Sequence, residues 1–208
     1  MSSTQRTPVV PLEAGAGPEN PPCPACGEPL FGWLAVQPGL GAPVSRCESC
    51  GLGVVGVGAE PGEALRELDR LGDMAPRIAN RASFAAALGS AGWAGLEPGA
   101  RYLFTLESVR RLVARRDQIV KSRRWAPLAG IAATWQTLLN SVTFGHNVGL
   151  AALGRGRAVK AEKPWQRRID ALATIVLAIP ALLIALPIEL AGGITGRGAV
   201  VTLKLELL

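Results

Sequence analysis

The residues best suited to chemistry are four cysteines in two matched pairs, Cys23-Pro24-Ala25-Cys26 and Cys47-Glu48-Ser49-Cys50. The chain has no others, and each pair runs into a glycine, Gly27 or Gly51. Roughly 20 residues separate the pairs, the spacing at which two knuckles present four thiolates to one Zn²⁺ ion. A knuckle turn points backbone N–H groups at sulfur, and glycine tolerates the positive φ that closes it. A shell of four sulfurs leaves no open position. Zn²⁺ held by Cys23, Cys26, Cys47 and Cys50 is therefore expected to be structural, with no catalytic residue and no organic-cofactor residue assigned. Disulfides, a thioredoxin-like redox pair at Cys23 and Cys26, and idle thiols are the competing readings. Disulfides belong to secreted chains, and no signal-peptide pattern opens this sequence. A redox pair has no need of a second, matched pair.

The elements that must position these cysteines follow from local patterns. Residues 1–22, rich in Pro, Ser, Thr and Gly without an apolar period, read as a disordered leader. Residues 23–58 form the ribbon, with a strand over 31–36 between the knuckles. A helical connector over 59–98 follows. In it Pro61 opens a helix over 63–71 with Leu65, Leu68 and Leu71 on one face, and a second helix covers 83–88. In the stretch 99–165, Tyr102-Leu103-Phe104 is a short strand and Thr105 a suitable N-cap for a helix over 106–116. Leu106, Val109, Leu112 and Val113 form its buried stripe. A strand is expected over 117–121, a helix over 132–142, and a short helix over 146–153. The tail after 196 alternates apolar and polar residues, as a half-buried strand does.

Composition narrows the functional classes. Hydrophobic residues make up 49% of the chain, and its mean hydropathy of +0.26 is high for a wholly soluble protein. The net charge of +6 is unevenly spread: residues 1–100 carry six basic and ten acidic groups, residues 101–208 sixteen and six. The basic half also holds the most apolar segment, a pairing that points to a membrane surface before nucleic acid. The ribbon's own surroundings are acidic (Glu28, Glu48, Glu60, Glu63, Glu67, Asp69, Asp73), so nucleic acid is an unlikely partner on the electrostatic footprint.

Residues 171–188 contain no charged side chain, a run just at the length needed to span a bilayer. Lys160, Lys163, Arg167 and Arg168 precede it, and Trp165 suits an interfacial belt. By the positive-inside rule the N-terminal bulk would be cytoplasmic. Pro180 and Pro187 interrupt the run, so the segment 166–195 is expected to form a re-entrant or interfacial hairpin on anionic lipid, a span being the alternative.

Three further motifs carry weaker chemistry. Gly51-Leu52-Gly53-Val54-Val55-Gly56 fits G-x-G-x-x-G, but Gly51 belongs to a knuckle and the strand–turn–helix setting of a nucleotide site is missing. His146, the single histidine, has no sequence-placed serine, cysteine or carboxylate to complete a triad. Arg110-Arg111, Arg115-Arg116 and Arg123-Arg124 could bind lipid or nucleotide phosphate, or could form a solvated helix face.

Phe104-Thr105-Leu106-Glu107-Ser108-Val109-Arg110-Arg111-Leu112-Val113 resembles the "hFTpeSLrrlL" segment of class I S-adenosylmethionine (SAM) dependent methyltransferases. Trp135-Gln136-Thr137-Leu138-Leu139-Asn140 is similar to that family's "WlQsLlN" helix. Glu189-Leu190 through Gly196-Arg197-Gly198 resembles its closing "E-L-x-x-x-x-G-R-G" stretch, and bacterial members carry an N-terminal zinc ribbon. The resemblance covers roughly residues 96–208. It implies a mixed sheet in which the terminal strand 196–208 takes part. The family's acidic, glycine-rich SAM turn has no counterpart: only about 45 residues lie between the ribbon and Leu96, and one βαβ unit takes roughly 30. No SAM-binding residue carries over, and SAM is not expected as a cofactor. The fold expected is α+β, a four-cysteine ribbon followed by the remnant of a methyltransferase C-terminal lobe and a membrane-contacting helical segment. The function expected is an interaction or accessory module on the cytoplasmic face of a membrane, paired with a complete methyltransferase or an envelope glycan enzyme. A methyltransferase subunit completed by a partner's lobe, and a nucleic-acid-binding ribbon protein, are the alternatives.

Overall fold

The computed structural model describes residues 20–35 and 41–208. All but the last three residues of the expected leader, and Val36 of the strand expected over 31–36, lie outside the described residues. Along the chain the elements are β1 (Leu30–Leu34), β2 (Val44–Cys47), β3 (Gly53–Val55), α1 (Pro61–Arg70), β4 (Arg77–Ala79), α2 (Phe84–Gly89), β5 (Tyr102–Leu103), α3 (Leu106–Ala114), β6 (Gln118–Trp125), α4 (Pro127–Asn140), α5 (Val148–Ala152), α6 (Pro164–Ile194) and β7 (Val200–Leu207). They make a mixed α+β fold with two small antiparallel sheets among the described residues, ordered β1-β2-β3-β5 and β4-β7-β6.

Local chemistry accounts for most of the boundaries. Pro61 and Pro127 occupy first-turn positions of α1 and α4, where the missing N–H costs nothing. Ser83 caps α2 by accepting from the Ala86 amide. Thr105 caps α3 as expected, in a reciprocal box with Ser108: each side chain accepts from the other's backbone N–H, at 3.0 and 2.9 Å. In β7 the alternation expected from sequence is realised, with Val201, Leu203 and Leu205 buried. One apolar core joins the cysteines to α1, α3 and β7, with Leu52, Leu68, Ile78, Leu112 and Leu203 at its centre.

The mixed sheet implied by the resemblance is not found, every strand pair among the described residues being antiparallel, and the structure departs from the sequence reading in three further places. The strand expected over 117–121 continues to Trp125, because β6 pairs with the apolar β7 along its whole length and needs no apolar face of its own. The strand β4 went unforeseen, since three residues carry no period. Its Ile78 is buried opposite Val201. Most consequentially, 166–195 is not a hairpin: α6 runs unbroken through Pro180 and Pro187 for 31 residues, about 46 Å. Both prolines fall on the outer arc of the helix, where the ring meets no neighbouring element.

Three contacts clamp α6 along its length, against the loop after α4, against α4 itself, and against Trp125, Thr134 and Ala199. Near the N-terminus, buried Asp170 accepts from the backbone amides of Phe144 and Gly145 at 2.8 and 2.9 Å. In the middle, the Trp135 indole donates to the Ala178 carbonyl at 2.8 Å. Near the C-terminus, Glu189, 1% exposed, accepts from the Trp125 indole, the Thr134 hydroxyl and the Ala199 amide at 2.7, 3.0 and 2.9 Å. Gly130 faces the Glu189 carboxylate and Gly193 faces the Trp125 ring, each so closely that a Cβ would overlap its neighbour. Glu189→Gln is expected to cost about 1–3 kcal/mol, because an amide donor then faces donors in a buried site. Gly130→Ala should cost at least as much. Urea unfolding of the metal-loaded protein checks both, and wild-type midpoints would contradict the clamp.

Candidate metal centre and the apolar helix

The two knuckles meet. Each is closed by a glycine amide donating back to the first cysteine's carbonyl, Gly27 to Cys23 at 2.8 Å and Gly51 to Cys47 at 3.0 Å. Both glycines sit at positive φ, 83° and 75°, where a side chain would be strained. The four sulfurs all lie within 4.8 Å of one another, with Cys23–Cys50 at 3.6 Å and Cys26–Cys47 at 3.4 Å. A tetrahedron with metal–sulfur distances of about 2.3 Å has edges of about 3.8 Å, so the donor set fits one tetrahedral ion. None of the four is in a disulfide.

The sulfurs and their surroundings shift the individual thiols in opposite directions. A hydrogen bond from Cys50 holds the Cys23 pKa down to about 5, and the amides of Ala25 and Cys26 act in the same direction against burial. The same contact, with burial, raises Cys50, while the Leu52 amide opposes the rise. Burial raises Cys26, opposed by the Glu28 amide. Two arginines stand beside the sulfurs: Arg81 donates to the Gly51 carbonyl at 3.1 Å and Arg111 to the Ser49 hydroxyl at 3.2 Å. Thr105 also donates to the Cys50 carbonyl at 2.6 Å, so the cap of α3 is bonded directly to a knuckle.

The segments singled out by resemblance have structural work here. Beyond Trp135, Gln136 accepts from the Leu150 amide and Thr137 from the Ala94 amide, while Asn140 donates to the Gly92 carbonyl. His146 is half-buried beside Asn140, and desolvation keeps its pKa below the usual value. Its ring bonds no carboxylate or nucleophile among the described residues. The G-x-G-x-x-G run spans a knuckle and β3, and the next helix begins only at Pro61. Of the arginine pairs, Arg110 and Arg111 bond Glu107, Arg116 grips Asp69 through 2.9 Å contacts, and Arg123 donates to the Gly196 carbonyl. Sequence reasoning missed Asp170 and Arg81, and it quoted Glu189 without assigning it a role. A lone acidic residue at each end of an uncharged run was the available signal for the two carboxylates.

The outer face of α6 is apolar throughout. Ile169, Leu172, Val176, Ile179, Leu183, Leu190 and Ile194 lie on one arc and are 43–86% exposed. By length and composition α6 could cross a membrane, yet only 11% of its apolar window is buried within the protein. No family model, curated protein or solved structure matches this chain.

The cysteine cluster predicts one metal ion per chain. Co²⁺ loading should give the ligand-field and charge-transfer bands of a tetrahedral tetrathiolate site, and Cys50→Ser should weaken or abolish them. Retention of the full spectrum in Cys50→Ser, or disulfides in the protein as purified without oxidant, would contradict this site.

Proposed function

We propose that this chain is a zinc-ribbon protein that lies on a membrane, with α6 in the plane of the interface and its outer face in the acyl boundary. The observation that carries the reading is the clamping of that apolar helix at both ends. Asp170 and Glu189 stand 19 residues apart, about 29 Å along the helix. The Asp170 end is tied to Phe144 and Gly145, beside Asn140 and Asn147, which bond Gly92 and Ala94. The Glu189 end is tied to Ala199, which shares a core with Trp93, Val44 and Leu103. A helix that crossed the bilayer would carry one of those ends to the far side, away from that core.

Two further features support the in-plane mode. Pro180 and Pro187 deprive the Val176 and Leu183 carbonyls of their usual helical donors. Those carbonyls are costly in hydrocarbon and readily hydrated at an interface. Lys160, Lys163, Arg167 and Arg168 precede the apolar run and suit anionic headgroups, each near-surface charge contributing about 1 kcal/mol. The anionic cytoplasmic leaflet would attract that basic flank, which supports the cytoplasmic face as the side on which the body rests. Zn²⁺ is the ion that best fits four closed thiolates, and it holds the ribbon to α3.

The part beyond the ribbon reads as the C-terminal portion of a class I methyltransferase that lacks its own SAM site, which makes the chain an accessory module. Its partner would be a complete methyltransferase or an envelope glycan enzyme. One observation favours a methyltransferase subunit instead: a cleft of about 660 Å³ opens beside β4, lined by Arg77, Trp93, Glu97 and Arg155, where a partner's lobe could complete a site.

Flotation with vesicles tests the membrane reading. The protein should float with vesicles containing phosphatidylglycerol. Ile179→Asp with Leu183→Asp, at positions already 70% and 64% exposed, should weaken partition at least tenfold without loss of metal. Unchanged flotation of that variant would defeat the reading. SAM titrated into the same sample separates the two roles, binding by the chain alone being incompatible with the accessory one.

A further inference from the structure

Away from α6's outer face, three arginines line one groove at the back of the ribbon. Arg46 of β2, Arg81 after β4 and Arg197 after α6 border a cavity of about 320 Å³ with Trp33, Ser83 and Ser90. It adjoins a second recess of about 300 Å³ formed by Arg46, Arg81, Glu48, Cys47 and Gly51. Glu48 is the single carboxylate in either lining. It lies 3.6 Å from Arg46 and is itself well exposed.

The guanidinium groups are held in place but sparsely bonded. Arg81 stacks over the Trp33 ring at 4.4 Å and gives one hydrogen bond to the Gly51 carbonyl. Its Nε is sealed from solvent and has no hydrogen-bond partner among the described residues. Arg197 stacks over Phe84 at 4.5 Å and spends its Nε on the Ala82 carbonyl, with no ion pair among the described residues. Burial and the adjacent Arg46 charge act against the Arg81 cation, while the nearby Cys50 sulfur acts for it. Like charges gathered in one groove repel each other unless an anion joins them. Stacked, pre-oriented guanidinium forks with free donors are the form in which arginine recognises phosphate oxygens.

We propose that the groove between Arg46, Arg81 and Arg197 binds a phosphate group, with the Ser90 hydroxyl at its rim. These arginines are not the pairs that stand out in sequence. They are 35, 116 and 151 positions apart and meet only through folding. Two sources could supply the group, a phosphomonoester lipid headgroup or a soluble phosphate. Arg197 lies three residues beyond Ile194, the exposed end of α6, so a lipid source is tested beside the soluble one. The site itself does not depend on the membrane reading, because its residues share nothing with the outer face of α6.

Calorimetric titration of the zinc-loaded full chain with inorganic phosphate in a non-phosphate buffer tests the site. Saturable 1:1 binding is expected, weakened about tenfold or more by Arg197→Ala and by Arg46→Ala, and unchanged by Arg115→Ala at the exposed C-cap of α3. Arg46→Ala keeps the test valid should Arg197→Ala fail to fold, since the Arg46 side chain is partly exposed and its ion pair is with exposed Glu48. Vesicles carrying phosphatidic acid, compared with phosphatidylglycerol vesicles at equal charge, then identify the source. A preference for phosphatidic acid that Arg197→Ala removes assigns a lipid headgroup, and equal vesicle binding alongside phosphate binding assigns a soluble phosphate. Absence of saturable phosphate binding, or binding indifferent to both arginine variants, overturns the proposal even if flotation succeeds.

Discussion

Glu189 accepts hydrogen bonds from Trp125, Thr134 and Ala199, and so joins β6, α4, α6 and β7 at one buried point. A carboxylate is costly to bury, and three donors converging on it offset that cost only if they arrive in fixed positions. Gly130, Gly193 and Gly198 leave the room this requires, because a methyl at any of them would meet the carboxylate or the Trp125 ring. Asp170 does the same at the other end of α6 with two backbone amides. The helix most likely to leave the protein for lipid is thus the one most firmly tied to it.

The ribbon depends on the rest of the fold in a comparable way. Thr105 caps α3, bonds the Cys50 carbonyl and packs against Gly51, so the knuckle and the helix set each other's position. Metal binding at the four cysteines would then stabilise α3, and through the shared core β7, along with the ribbon itself. The basic residues ahead of α6, its exposed face and the arginine groove beyond its end belong to one surface reading. The cysteine site lies beside that groove, since Cys47 and Gly51 of the second knuckle line the recess that adjoins it.

Much of this was legible in the residues. Two CxxC pairs with trailing glycines foretold the knuckles, Thr105 foretold the α3 cap, and the alternation after Val200 foretold β7. The break expected at Pro180 and Pro187 did not occur. Proline disrupts a helix by sterics and a lost donor, and both effects are tolerable on a face that packs against nothing. Strand β4 and the longer β6 were illegible because their pairing with β7, rather than any period of their own, makes them strands. The arginine groove was illegible for a different reason. Its members come from three distant segments, and only the fold shows that they meet in one groove.

The central claim is that α6 lies along the membrane surface. Nitroxide labels on genetically encoded ketone side chains at Leu172, Ile179, Leu183 and Leu190 leave the cysteines untouched and report immersion depth in vesicles by paramagnetic relaxation. The account predicts similar, shallow depths at all four positions, within about 5–10 Å of the headgroup boundary. A profile deepest at Ile179 and Leu183 and shallow at both ends would show a helix crossing the bilayer, and would contradict it.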